Sequence, residues 1–238
     1  MKTKKVSISI FQIFIAIIVI AIIIVAIAVI RNITNKSGSI PKEEQFAGSG
    51  SVEDPYQILS EEDLQKLYES ILKGESYQGK SFKLINKLEL SKELNHNIKT
   101  TAKPIFEGVF DGNGKTITGL VINIDTSVIE ENYGLFGINK GTINNLRVIG
   151  QINVNEDLEN SKIDVGILAG INEGTISSCK VEGSIKANVN NADTTVKIGG
   201  IAGINKGKIE NSSSSTNINS NQQKGGIIAL NEKNGEII

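Results

Sequence analysis

The chain has 238 residues, of which 39% are hydrophobic and 21% charged, a composition that excludes wholesale disorder. Net charge is −1, but residues 1–36 carry Lys2, Lys4, Lys5, Arg31 and Lys36 and no acid, so the remainder is mildly acidic and offers no basic stripe to nucleic acid. One cysteine and one histidine exclude an intrachain disulfide and a His/Cys zinc site. Cys179 reads as a small buried hydrophobe and His96 as a solvated loop residue. No cofactor is expected.

Met1-Lys2-Thr3-Lys4-Lys5 precedes an apolar run from Ile8 to Ile30, broken only by Ser9 and Gln12. At about 23 residues, or roughly 34 Å as a helix, the run is long enough to cross a bilayer. Three lysines before it against Arg31 and Lys36 after it predict a single-pass anchor over residues 1–36 in the cell membrane, with a cytoplasmic N-terminus and the rest extracellular. Two alternatives stay open. Ala26-Ile27-Ala28 is a small-x-small cleavage site, which would make the segment a long signal peptide and the product secreted. The apolar helix also resembles that of type IV pilins, although Ile10 and Ile15 stand where a pilin has its processing-site Gly and its Glu. Residues 37–50 read as a flexible, polar linker.

Residues 51–105 supply an opening strand, a helix and a first turn of the fold. Tyr56 to Leu59 is a short strand after the turn former Asp54-Pro55. Ser60-x-x-Asp63 is a capping-box variant, and Leu64, Leu67, Tyr68, Ile71 and Leu72 fall on one helical stripe that Gly74 can end. Such a helix is placed to cover the open end of a repeat array. Phe82 to Leu90 alternates like a strand, with a slip at Ile85-Asn86. Phe106 to Phe110 leads into the turn Asp111-Gly112-Asn113-Gly114, where Gly112 and Gly114 are expected to supply positive φ, and then into Thr116 to Ile122.

From residue 106 to 238 the chain repeats itself. Gly134-Leu135-Phe136-Gly137-Ile138-Asn139-Lys140-Gly141-Thr142-Ile143 returns at Ile167 to Ile176 and at Gly200 to Ile209, and in worn form from Gly226 to Asn231 and at Gly235. The copies span about 134–165, 166–198, 199–224 and 225–238. Their asparagines, Asn139, Asn172, Asn205 and Asn231, are 33, 33 and 26 residues apart, a spacing typical of stacked repeats. Ile143, Leu146, Val148, Ile152 and Val154 map onto Ile176, Cys179, Val181, Ile185 and Ala187, then onto Ile209, Ser212, Ser214, Ile218 and Ser220. The period of two at 146/148 and 152/154 is that of strands, and glycine density and β-branching exclude helical repeats. The odd spacing between Ile143 and Leu146, and the glycines Gly150 and Gly183, are expected to mark corners. Segments 155–164 and 187–196 are expected to be loops off one side. The fold expected is all-β: a parallel β-helix (solenoid) with one N-terminal capping α-helix, preceded by a transmembrane helix. Gly137, Asn139 and Gly141, their copies Gly170, Asn172 and Gly174, then Gly203, Asn205 and Gly207, and finally Asn231 are expected at stacked turns, with the asparagines passing amide hydrogen bonds between layers.

These copies resemble the GLUG motif of bacterial surface proteins, Gly-Gly-Leu-x-Gly-x-Asn-x-Gly-x-Ile-x-Asn, which Gly200 to Asn211 follows most closely. Phe106 to Leu120 resembles the strand and turn that precede such repeats, and Asp54-Pro55-Tyr56-Gln57-Ile58 with the Ser60 helix resembles their opening segment. The resemblance covers about residues 50–238 and implies a right-handed parallel β-helix outside the cell. The chain departs from it at Ser212 to Ser215 and at Ala229, so those layers are expected to be less stable. Some family members carry an IgA-specific metallopeptidase domain, but one histidine cannot make an H-E-x-x-H site.

The expected function is a non-catalytic surface scaffold or adhesin-like module that binds a host, matrix or glycan partner. The alternative is a carbohydrate-active β-helix enzyme, which needs paired carboxylates or a calcium-bound acid cluster. Asp111 is its best candidate, with turn initiation as the plainer reading. Glu156, Asp157 and Glu159 cluster in a polar segment, and Asp111-x-Asn113 has a calcium-loop flavour that Lys115 interrupts. A pilin-like subunit is a third reading. The chain stops inside the fourth copy, so either it is a fragment or its last layer pairs with another chain, and self-association is expected.

Overall fold

The computed structural model describes residues 46–91, 104–124 and 130–238. The apolar run 8–30 and His96 lie outside the described residues, as does the spacer up to residue 45. Among the described residues no helix is long and apolar enough to cross a membrane. The folded unit is Phe46–Ile238. It opens earlier than residue 51: Phe46 is buried against Tyr56 and Phe82, and Gln57 N donates to Ala47 O at 2.8 Å.

Twenty-one strands among the described residues, numbered in chain order, form four parallel sheets. The first holds β1 (Tyr56–Ile58), β2 (Ser81–Leu84), β5 (Val109–Asp111), β9 (Thr142–Asn144), β13 (Thr175–Ser177), β17 (Lys208–Glu210) and β21 (Glu236–Ile237). The second has the longest strands: β3 (Leu88–Glu89), β6 (Thr116–Ile124), β10 (Arg147–Val154), β14 (Lys180–Ala187) and β18 (Ser213–Ser220). The third holds β7 (Glu130–Tyr133), β11 (Lys162–Gly166), β15 (Thr195–Gly199) and β19 (Gln223–Gly225). The fourth holds β4 (Ile105–Phe106), β8 (Phe136–Asn139), β12 (Ala169–Asn172), β16 (Ala202–Asn205) and β20 (Ile228–Asn231). From β5 to β20 each turn of the chain contributes one strand to each sheet and pairs with the turns before and after it, which is a parallel β-solenoid.

Register follows the repeat. Ile143 pairs with Ile176 and Ile176 with Ile209, while Val148, Val181 and Ser214 make a second column and Ile152, Ile185 and Ile218 a third. A one-residue slip would turn every such row outward, so the buried columns hold the layers in place. The N-terminal layers are aromatic: Phe82 lies 6.1 Å from Phe106, and Phe136 packs 4.8 Å from Phe106 and 5.4 Å from Phe110. Aliphatic columns replace them in later layers.

Helix α1 (Glu61–Leu72) joins β1 to β2 and buries its Leu64, Leu67, Tyr68, Ile71 and Leu72 stripe in the same core. Ser60 Oγ accepts from Asp63 N at 3.3 Å, while Asp63 Oδ2 accepts from Leu59 N at 2.9 Å, one residue before the cap. The helix ends at Gly74 (φ +97), with Glu75 N on Ser70 O and Gly74 N on Ile71 O, a Schellman pair that satisfies the last carbonyls.

Three local expectations change. Gly150 and Gly183 are not corners: they lie inside the unbroken strands β10 and β14. Gly183 is required by crowding between layers, since a Cβ there would sit 1.8 Å from Gly150 O. The corners fall at Asn145, Ser178 and Asn211, with φ of 52°, 52° and 49°, inside the odd spacing between Ile143 and Leu146 and its copies, where one was expected. In the Asp111 turn the positive φ belongs to Asn113 (52°) and Gly114 (66°), not to Gly112. Gly112 is there because a Cβ would lie 2.5 Å from Asn145 O in the next layer. Finally, 155–164 and 187–196 are layered rather than free. Asn190 N donates to Glu156 O, Thr195 N to Ser161 O and Thr194 Oγ1 to Leu158 O, and Leu158 and Val189 are buried.

Candidate functional site

The repeat's signature residues converge on one corner. Asn139, Asn172, Asn205 and Asn231 end β8, β12, β16 and β20 and are paired in register. Asn139 Nδ2 donates to Asn172 Oδ1 at 2.7 Å, Asn172 Nδ2 to Asn205 Oδ1 at 2.8 Å, and Asn205 Nδ2 to Asn231 Oδ1 at 2.9 Å. Asn231 Nδ2 closes the ladder on Gly235 O at 2.8 Å. The first three amides are fully buried, where an unpartnered polar group is costly. Asn139 Oδ1 has no partner, because Phe106 occupies the equivalent position in the layer below.

Two glycine columns flank the ladder. A Cβ on Gly141, Gly174 or Gly207 would lie 1.9, 2.1 and 2.1 Å from the carbonyl oxygens of Gly108, Gly141 and Gly174 beneath them. A Cβ on Gly170 would lie 2.6 Å from Tyr133 N, and one on Gly203 2.6 Å from Val165 N, so these glycines let the fourth sheet approach the third. A Cβ on Gly137 would lie 2.5 Å from the Pro104 side chain in the layer below and 3.1 Å from Asn132 O of the third sheet. Just beyond the ladder runs a column of alternating charge. Glu173 bridges Lys140 (3.4 Å) and Lys206 (3.7 Å), and Lys206 reaches Glu232 at 3.7 Å.

Outward chemistry collects at the two ends of the second sheet. A shallow cavity of about 320 Å³ is lined by Asp111, Asn113, Asn145, Arg147, Ser178 and Lys180. Arg147 Nε and Nη2 donate to Glu182 Oε1 and Oε2 at 3.1 and 2.9 Å, and Lys180 Nζ reaches the same carboxylate at 2.9 Å. Hydrogen bonds from Arg147, then from Lys180, hold the Glu182 carboxyl down at about 2. The Arg147 guanidinium is raised in turn, chiefly by its bond to Glu182. Sequence reasoning passed over this trio. The signal was available: Arg147 and Lys180 are 33 residues apart and pair in register, and a strand period of two puts Glu182 on the face of Lys180.

A second cavity of about 320 Å³ lies at the far end of those strands, lined by Asn123, Asn153, Asn155, Glu156, Lys186 and Asn188. Asp111 and Glu156 thus stand at opposite ends of the eight-residue β10. That is roughly 25 Å of strand, against the 5–10 Å or so that a glycosidase pair needs. Asp111 Oδ1 accepts from Asn113 N at 2.8 Å, the bond of a turn initiator. The Asp157 amide is turned onto Asn155 Oδ1, and Glu156, Asp157 and Glu159 are exposed. Among the described residues no group of three His, Cys, Asp or Glu side chains is placed to hold a metal ion. Cys179 is buried beneath Ser212, and burial pushes its thiol up to about 11.

No family model matches the chain. No curated protein matches it either. Among solved structures it is similar to a Bacteroides ovatus protein described as a candidate immunoglobulin A1 protease, at 16% identity and a TM-score of 0.51, over 80% of this chain. The chain spans 66% of that structure's length. At this identity the likeness concerns the fold alone.

Proposed function

We propose that residues 46–238 form a non-catalytic β-helix module of the GLUG-repeat kind. It is carried outside the cell by the single-pass segment 8–30, with residues 1–36 leading from the cytoplasm, and serves as a rigid scaffold or adhesin-like surface for a host, matrix or glycan partner. One observation carries the reading: each signature asparagine is spent on the ladder, and the signature glycines from Gly137 to Gly207 on close approach between layers. None is left to hold a substrate. The cations at the Asp111 cavity are likewise committed to Glu182. The protease name belongs to the fold neighbour, part of whose length has no counterpart here. The test is a glycan and matrix-protein array probed with the chain, where one reproducible partner is the expected result. Cleavage of any member of a polysaccharide panel, with or without Ca²⁺, would replace this reading with the enzymatic one.

The same proposal includes self-association. Strand β18 is the edge of its sheet and carries no charged side chain from Ser213 to Ser220, so its backbone is open to a further strand among the described residues. Light scattering showing a monodisperse monomer at high micromolar concentration rejects that part.

A further inference from the structure

Two Asn-Gly pairs occupy exposed turns, Asn113-Gly114 and Asn234-Gly235. Asparagine before glycine is thermolabile, because the glycine nitrogen meets little steric hindrance in attacking the preceding side-chain amide. Both asparagines face solvent, so access to water does not separate them. Restraint does. Asn113 is pinned between layers: its Nδ2 donates to Leu84 O at 3.2 Å, its own N–H goes to Asp111 Oδ1 at 2.8 Å, and Gly114 N donates to Asn145 O of the next layer at 2.8 Å. Asn234 has no such hold. Its side chain has no hydrogen bond among the described residues, and Gly235 N is engaged only within its own turn, on Glu232 O at 2.8 Å.

We infer that Asn234 is a site of spontaneous modification, converting to isoaspartate, and that the conversion releases β21 from the asparagine ladder. The Gly235 nitrogen bonds to Asn234 Cγ, the Cγ–Nδ2 bond breaks, and ammonia leaves with the proton from Gly235 N. Water then opens the succinimide. Attack at the main-chain carbonyl gives isoaspartate, and attack at the side-chain carbonyl gives aspartate. Isoaspartate lengthens the main chain by one methylene between Asn231 and Glu236 and places a new carboxylate between Glu232 and Glu236.

The surroundings leave no slack for that methylene. Gly235 O receives Asn231 Nδ2 at 2.8 Å, Glu236 O receives Asn205 Nδ2 at 3.2 Å, and Glu236 N donates to Gly207 O at 2.8 Å. Even a Cβ on Gly235 would lie 2.2 Å from Asn231 Oδ1 and 2.6 Å from Asn205 O. The extra length therefore breaks the ladder's last step and the pairing of β21 with β17.

The full chain is aged at mildly alkaline pH, isoaspartate is quantified at both positions by peptide mapping, and amide exchange is followed at Glu236 and Ile238. Modification is expected several-fold faster at Asn234 than at Asn113, with loss of protection at both amides in the aged chain. Asn234→Gln is expected to keep its protection on ageing. Asn234→Asp, measured before ageing because Asp-Gly closes to the same succinimide more slowly, adds the charge without the methylene and is expected to keep most of its protection. Equal or faster modification at Asn113 overturns the site assignment. Unchanged protection in the modified chain, or equal loss in unaged Asn234→Asp, overturns the mechanism.

Discussion

An amide in the middle of the ladder is worth more than one at its end. Asn172 accepts from Asn139 and donates to Asn205 Oδ1, with further contacts to Gly174 O and Lys208 O. Asn172→Ala strips a partner from both neighbours inside the core. A loss of about 2–4 kcal/mol in urea unfolding is expected, since each buried group left unpaired costs about 1–3. Asn139→Ala is expected to cost less, because its Oδ1 is already unpartnered. Glycines sort by neighbours in the same way. Gly174→Ala puts a Cβ 2.1 Å from a carbonyl and is expected to cost about 3 kcal/mol or more. Gly114→Ala meets nothing within 4 Å and bears only the left-handed penalty at φ +66, about 1–2 kcal/mol. Titration is legible at Glu182. Its carboxyl is depressed in the folded state, so its contribution is present above the ordinary carboxylate range and is lost as pH falls towards about 2. Glu182→Gln is expected to flatten that part of the acid-unfolding curve, read by circular dichroism.

At the scale of elements, the parts legible in the sequence were those whose cause lies within the segment itself. The α1 stripe and its Ser60 cap are local periodicity and local chemistry, and the strands follow a period of two. Asn139, Asn172 and Asn205 could be aligned because the copies are near-identical, so one spacing places them all in a column. The misread positions have causes one layer away. Gly150, Gly183 and Gly112 answer to backbones some 30 residues off in sequence, and no local pattern announces that. The third copy is instructive. It lacks the extra segment of its predecessors, which leaves the Val189 backbone without a strand. Asn221 fills the gap with its side chain, as Oδ1 accepts from Val189 N at 3.0 Å and Nδ2 donates to Val189 O at 2.8 Å. Gln222 Oε1 does likewise for Val196 N at 3.2 Å. These amides stand in for a missing peptide group. Asn221→Ala is expected to raise amide exchange at Val189 while changing the global unfolding free energy by no more than about 0.5 kcal/mol.

Across the whole folded unit, stability is graded along the solenoid axis. Phe106, Phe136 and Ile143 are buried in their layers, and helix α1 adds its apolar stripe to the same core at that end. At the other end, Ser214 and Ser220 replace Val181 and Ala187, and every residue of β18 is at least partly exposed. In a stacked array each layer is stabilised mainly by its neighbours, so opening is expected to start at β18 to β21 and move towards the helix. Amide exchange should therefore be fastest over 213–238 and slowest over 106–124 and 130–154. Uniform protection along the axis would contradict this gradient.

The alternating charges at Lys140, Glu173, Lys206 and Glu232 set a parity rule for changes of length. Backbone pairing is in register between the first and second copies and their aliphatic columns continue from one to the next, so gene duplication could splice in a 33-residue unit there without disturbing them. Inserting a single unit forces two lysines or two glutamates together, whereas inserting two restores the alternation. Lineages that lengthen this protein are thus expected to do so by even steps, or to carry a compensating sign change where they do not.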